Sequence, residues 1–208
     1  MGNKVQFGLK NVHYAPISTG EDGGITFGTP VHIPGACSLT ITRQGNEVKF
    51  NADGMLYHAS YSNEGYSGTL TLALIPDHFR KAILKEVEDE TDHVLVEYAD
   101  AEPTPFALLF EMEGDERASR RVLYHCTVGV PGEDADGQTP NTPKTEAMDI
   151  TASALADGRT RARTTENTPD DVFNNWFKKV WGAQAELGPV AQADNPEPAP
   201  DRGAEEGV

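Results

Sequence analysis

Cysteine is nearly absent: Cys37 and Cys126 are the only two in 208 residues. A disulfide-stapled mini-protein is thereby excluded. The polar N-terminal stretch has no charged segment followed by an apolar one, so the chain reads as cytosolic, unexported and without need of a disulfide. Long apolar runs are missing too. Stretches such as Leu70–Ile75 reach about six residues, far short of the ~20 that a membrane-spanning helix requires. Positive charge is scarce, with 17 Lys and Arg against 33 Asp and Glu and a net charge of −16. Nonspecific nucleic-acid binding draws its free energy from cationic side chains releasing counterions, so this balance disfavours it.

Catalytic signatures are lacking as well. There is no GxxxxGK[ST], GxGxxG after a strand, HExxH, GxSxG or paired CxxC. The six histidines, His13, His32, His58, His78, His93 and His125, include no i, i+4 pair. His125 and Cys126 are adjacent on a predicted strand and so point to opposite faces. Asp134-Ala-Asp136-Gly137 opens like a calcium loop, but no Glu stands at the twelfth position from Asp134. A solvated acidic loop is the better reading. No catalytic residue, metal or cofactor is expected, and no enzymatic activity.

What is present is alternation. Leu39 and Ile41; Val48 and Phe50; Leu70, Leu72 and Leu74; Val94, Val96 and Tyr98; Phe106, Leu108, Phe110 and Met112; Val122, Tyr124, Cys126 and Val128; and Met148, Ile150, Ala152 and Ala154 each fall two apart. That period places each set on one face of a strand. Turn chemistry at Gln44-Gly45-Asn46, Asp53-Gly54, Asn63-Glu64-Gly65, Glu113-Gly114-Asp115 and Asp157-Gly158 separates the strands, and the short gaps call for antiparallel hairpins. The expected fold is mainly β, an antiparallel sandwich or barrel-like domain. At this length one domain buries roughly 70% of its unfolded surface.

Two helices interrupt the strands. After Pro76, Asp77 is the expected cap of a flanking helix whose Phe79, Ile83 and Val87 lie four apart. A C-terminal helix over 169–181 is signalled by Thr168 as N-cap, Pro169 in the first turn, Asp170 and Asp171 near the positive dipole end, and Gly182 as a stop. Its stripe of Val172, Phe173, Trp176, Phe177 and Val180 fits core packing, with packing across a subunit boundary as the alternative. Residues 131–144 (PGEDADGQTPNTPK) read as a long loop. The segment 182–208 reads as a disordered acidic tail; from Gly188 it carries four prolines and five acids against one arginine. The main domain therefore spans 1–181.

A basic row stands out in so acidic a chain. Arg159, Arg161 and Arg163 alternate with Thr160, Ala162 and Thr164, so a strand here projects all three guanidinium groups from one face. Such a row protects a sheet edge by charge, or docks onto an acidic patch of an identical neighbour.

The opening GNKVQFGLKNVHYA (2–15) resembles the N-terminal arm of phage major tail proteins, the tail tube subunits of long non-contractile tails. SNEGYSGTLTLALIPDHFRKAILKE (62–86) resembles their central hairpin and helix. AEPTPFALLFEMEGD (101–115), RRVLYHCTV (120–128) and the stretch from Lys144 to Lys179 follow in the same order. The resemblance covers nearly everything from Gly2 to about Trp181. It implies a structural virion protein whose hexameric rings stack into a tube, the conduit for genome delivery. The implied partners are the chain itself, the tape measure protein, and tail terminator and tail-tip proteins. Genomic DNA passes through without specific binding, and no membrane is involved. The implied location is the virion tail, assembled in the host cytoplasm. Expected subunit contacts are Val5, Phe7 and Leu9 of the arm, Arg159, Arg161 and Arg163 of the basic row, and Phe173 and Trp176 of the C-terminal helix. The alternative is a soluble β-sandwich adaptor that binds a ligand or carbohydrate through the 131–144 loop.

Overall fold

Alternating apolar and polar residues set one side of each extended segment against a core, and that pattern builds most of the molecule. The computed structural model describes residues 3–20, 24–52, 54–132 and 143–183. In chain order its elements begin with β1 (Gln6–Thr19), β2 (Ile25–Phe27), β3 (Val31–His32), β4 (Ala36–Gln44), β5 (Glu47–Ala52), β6 (Met55–Tyr61) and β7 (Gly65–Leu72). Helix α1 (Asp77–Phe79) runs into a π-helical turn (Arg80–Leu84), followed by β8 (Val87–Glu88) and β9 (Leu95–Val96). The chain then forms β10 (Phe106–Gly114), β11 (Ser119–Val128), β12 (Glu146–Ser153), β13 (Arg161–Arg163) and α2 (Asp170–Asn174). The expected 131–144 loop and the acidic tail lie outside the described residues, apart from residues 131, 132, 143, 144, 182 and 183.

Among the described residues nine strands form one antiparallel sheet in the order β2-β1-β10-β11-β12-β7-β4, with β3 on β1 and β13 on β11. The sheet curls until β4 lies beside β1. The result is the mainly antiparallel, barrel-like architecture expected from the sequence. Its interior holds Val12 and Tyr14 of β1, Leu70 and Leu72, Phe106, Leu108 and Phe110, and Met148 and Ile150. A second core lies on the outer face of β1, β10 and β11. There Ala107, Leu109, Val122 and Tyr124 meet Trp176 and Val180 of the C-terminal segment.

Two bulges decide which residue faces which core. In β10–β11, Leu108 pairs with Leu123 but Phe106 with Cys126, so Ala107 alone faces both Tyr124 and His125. The extra residue flips the side-chain parity. Val122 and Tyr124 therefore pack outside while Cys126 and Val128 pack inside, although all four were expected on one face. In β1 the register slips between Lys10 and His13, where Asn11 takes a left-handed φ of 51° that Asn tolerates better than most residues. Close packing is tightest where β4 crosses β7: a Cβ on Gly68 would sit 1.8 Å from the Thr40 carbonyl oxygen.

The barrel has two distinct ends. At the Phe106 end of β10, the Phe79 ring packs edge-on to Phe106 at 5.6 Å and the Thr104 amide donates to the Ile83 carbonyl at 2.8 Å. At the other end Gln6 pairs with Gly114. Because β10, β11, β12 and β7 alternate in direction, the N-terminal end of β7 also lies at the Gly114 end.

Both helices are shorter than expected. Phe79 and Ile83 are buried as the spacing predicted, but Lys85 adopts φ 65° and closes the π turn onto the Arg80 carbonyl. Val87 thus starts an exposed strand instead of a third helical turn. Pro76, not Asp77, occupies the N-cap position. The helix expected over 169–181 ends at Asn174 and continues as turns. The Asn175 side-chain amide donates to the Asp171 carbonyl at 2.8 Å, competing with backbone pairing. Thr168 accepts the Thr165 amide at 2.8 Å and does not cap the helix.

Candidate assembly surfaces

The sequence places turn signals at both 44–46 and 63–65, yet the chain reverses at neither. β4 pairs with β7 out to Gln44 and Gly65, and β5 pairs with β6. Between them, the Glu64 amide donates to the Gln44 carbonyl and the Ser62 amide to the Asn46 carbonyl, both at 3.0 Å. The two pairs are one long hairpin whose single reversal lies beside Gly54, at φ 75°. Its inner half belongs to the barrel. Its outer half is a two-stranded sheet projecting from the Gly114 end.

Every described side chain of β5 and β6 is exposed. Val48, Phe50, Met55, Leu56, Tyr57 and Tyr61 are between 55% and 77% exposed. Val48 and Phe50 project from one face, while Tyr61, opposite Glu47, projects from the other. Alternation alone cannot separate such a strand from a core strand, so this surface was invisible in the sequence. Two-stranded sheets are marginal in water by themselves, and clustered exposed apolar side chains of this kind mark association surfaces.

The expected N-terminal arm is part of this chain's own sheet. Gln6, Leu9 and Lys10 pair with Gly114, Met112 and Glu111 of β10. Leu9 packs against the interior core, while Val5 and Phe7 remain exposed. The segment is anchored further by Asn3, whose Oδ1 accepts the Glu116 and Arg117 amides at 3.0 and 2.9 Å.

The basic row is split. β13 begins only at Arg161, so Arg159 lies in the turn behind Gly158. Its guanidinium pairs with Asp157 at 2.5 Å and donates to the Gly182 carbonyl at 2.9 Å. That hydrogen bonding to Asp157 raises the Arg159 pKa and lowers that of Asp157. Arg161 and Arg163 stand opposite Leu123 and Arg121 on β11 and share a face with Arg121. The cluster, at the Gly114 end where Arg121 donates to Gln6, is therefore Arg121, Arg161 and Arg163. A cation on β11 could have been paired with the row only by knowing the β11–β13 register.

The C-terminal segment is bound to its own sheet. Trp176 is buried in the outer core, and its indole Nε1 donates to the Arg121 carbonyl at 3.4 Å. Phe173 is held between two guanidinium groups, with Arg117 and Arg120 at 4.0 and 3.8 Å from its ring centroid. Arg120 also donates to the Phe173 carbonyl. Within the described chain the stripe thus packs intramolecularly.

No family model matches the chain, and no curated protein matches it. Among solved structures it is similar to a chain of the "Cryo-EM structure of the anti-feeding prophage cap (AFP tube terminating cap)", with a TM-score of 0.42 and 9% identity over 77% of this chain and 93% of that one.

Two open grooves among the described residues lie beside these surfaces. One of about 820 Å³ runs between Asn3, Gln6, Arg117, Ser119, Arg163 and Glu166. Another of about 640 Å³ lies between β2 and the C-terminal segment, lined by Phe27, Val172, Trp176 and Trp181. Among the described residues no group of three or more His, Cys, Asp or Glu side chains is placed to hold a metal.

Proposed function

We propose that this chain is a structural subunit that assembles into hexameric rings, stacked as the tube of a phage tail. The observation that carries the reading is the outer half of the long hairpin, a two-stranded sheet on which Val48, Phe50, Met55, Leu56, Tyr57 and Tyr61 are exposed and every described side chain is uncovered. Free strand edges and exposed apolar faces propagate assemblies when the contact is heterologous and does not close on itself. Burying the exposed portions of these side chains against a neighbour contributes about 1 kcal/mol or more for each. The ordered sequence resemblance to phage major tail proteins supports the same reading. So does the charge: a net −16 gives a wall that repels passing DNA and does not hold it.

In this reading the chain carries no catalytic function, and its partners are further copies of itself and other tail components. The test replaces residues 47–61 by a short Gly-containing turn. The variant should melt like the wild type, because the removed strands contribute nothing to either core, yet form no rings under the microscope. Normal rings from this variant would refute the hairpin's role.

A further inference from the structure

One end of the barrel carries an arginine cluster and the other an acidic flap, each beside exposed apolar side chains. At the Gly114 end, Arg121, Arg161 and Arg163 share one face, with Arg121 directly opposite Arg163. Among the described residues none of the three has a carboxylate within ion-pair distance. Arg121 donates to the Gln6 side chain at 2.7 Å, and Arg161 lies over the Tyr66 ring at 4.9 Å. The Nε of Arg121 is buried with no hydrogen-bond partner among the described residues. Burial and the two neighbouring guanidinium groups lower the Arg121 pKa. Holding three like charges together is unfavourable unless an anion is brought to them. Phe7 is exposed on the strand that Arg121 touches, and Val5 just before it. Glu116 and Glu166 line the groove that Arg163 also lines, which limits the cationic surface to the triad itself.

At the Phe106 end, the chain leaves the barrel after Leu84 and returns at Thr104, and the excursion forms the small β8–β9 flap. Its sequence from Glu86 to Glu102, EVEDETDHVLVEYADAE, holds no Lys or Arg. Glu86 is paired with Arg80 and Glu88 with Lys81. Glu90, Asp92, Glu97, Asp100 and Glu102 are exposed and have no cationic partner among the described residues. Val94, Val96 and Tyr98 are exposed among them.

We infer that the Arg121–Arg161–Arg163 triad of one copy docks onto the acidic β8–β9 flap of a second copy, joining barrels end to end. The occupant is another copy because the same chain supplies both complementary surfaces, each pairing charge with exposed apolar residues, at opposite ends of one barrel. Such a contact is heterologous and repeats along an axis. Charge complementarity of this kind sets register and suppresses wrong pairings. The inference names the stacking contact within the tube reading and rests on it for its biological sense.

The test uses two full-length variants, each neutralised at one end: Arg161→Ala/Arg163→Ala, and Glu97→Gln/Asp100→Asn/Glu102→Gln. All five positions are exposed, so both variants should keep the wild-type melting temperature. Sedimentation velocity at low salt should show end-to-end association weakened about tenfold or more in each variant alone. An equimolar mixture should recover it as discrete pairs of subunits or of rings, because only one intact interface forms between unlike variants. Raising the salt should dissolve these pairs, as the Debye length falls from about 10 Å at 0.1 M to about 3 Å at 1 M.

If both variants assemble like the wild type into tubes, the triad–flap contact is wrong while the tube reading stands. If the mixture gives salt-sensitive pairs but the wild type never gives rings, the contact stands and the ring reading falls. If nothing associates, both fall. Binding of a duplex oligonucleotide by the wild type that Arg161→Ala/Arg163→Ala loses, with no pairs in the mixture, would assign the triad to a phosphate backbone and overturn the inference.

Discussion

Removing Arg120 should destabilise this protein more than most single changes, and the structure says why. Arg120 of β11 stands opposite Glu111 of β10, with its Nε donating to Glu111 Oε2 at 2.7 Å and the two side chains only 17% and 10% exposed. The other carboxylate oxygen of Glu111 accepts from Asn11 at 3.2 Å. The guanidinium also lies 3.8 Å from the Phe173 ring centroid and 4.9 Å from that of Phe177, which fastens the C-terminal segment over the outer core. Arg120→Ala leaves a buried carboxylate without its cation, a loss of about 3–5 kcal/mol for a broken buried pair. Lost cation–π contact adds about 0.5–2 kcal/mol. Replacing both partners, as in Arg120→Met/Glu111→Leu, removes the stranded charge and should recover most of that loss. Urea unfolding followed by fluorescence reads both, because Trp176 sits in the core that the segment covers. A loss below about 1 kcal/mol for Arg120→Ala, or a double variant no more stable than the single one, would refute this account.

Other consequences are simpler to check. Gly68→Ala pushes a methyl group to 1.8 Å from the Thr40 carbonyl and should cost about 3 kcal/mol or more, whereas Gly129→Ala, with nothing within 4 Å among the described residues, should leave the melting temperature nearly unchanged. Burial lowers the His13 pKa from its ordinary 6.5, with the nearby His32 adding to the effect and the bond to the Asn11 carbonyl opposing it. The unfolded chain therefore binds the proton more readily, so His13 contributes stability above pH 6.5 that is lost as pH falls through the folded-state value. His13→Gln should flatten that part of the stability–pH curve, and an unchanged curve would assign the dependence elsewhere. Burial pushes the Cys126 thiol up to about 12 while Cys37 is exposed, so a thiol reagent at pH 8 should label Cys37 in the native protein and reach Cys126 only on unfolding.

The sequence is a good guide to this fold wherever side-chain parity runs unbroken. Phe106, Leu108, Phe110 and Met112 line the interior core or pack against it, as do Leu70 and Leu72, and Met148, Ile150 and Ala152. Parity misleads where a bulge intervenes, as between Leu123 and Cys126, because an extra residue leaves no mark on the apolar pattern. It misleads again where alternation belongs to a surface. Phe50 and Val48 read like core residues, and so do Val94, Val96 and Tyr98, yet all are exposed. Burial depends on which strands lie alongside, a long-range property that local spacing does not encode. The basic row fails for the same reason: Arg161 and Arg163 acquire Arg121 through strand pairing, while Arg159 is drawn to Asp157 two residues away. Turn signals at Gly45 and Gly65 mark an interruption in one long hairpin, since the same backbone freedom serves both a reversal and a close approach of strands.

Negative-stain microscopy of the purified full-length protein, carried across its soluble concentration range, tests the assembly reading most directly. The account predicts rings with a central hole, stacking into tubes as concentration rises, and their loss when residues 47–61 are replaced by a short turn. Particles that stay single subunits at every concentration, or closed dimers without a channel, would contradict it.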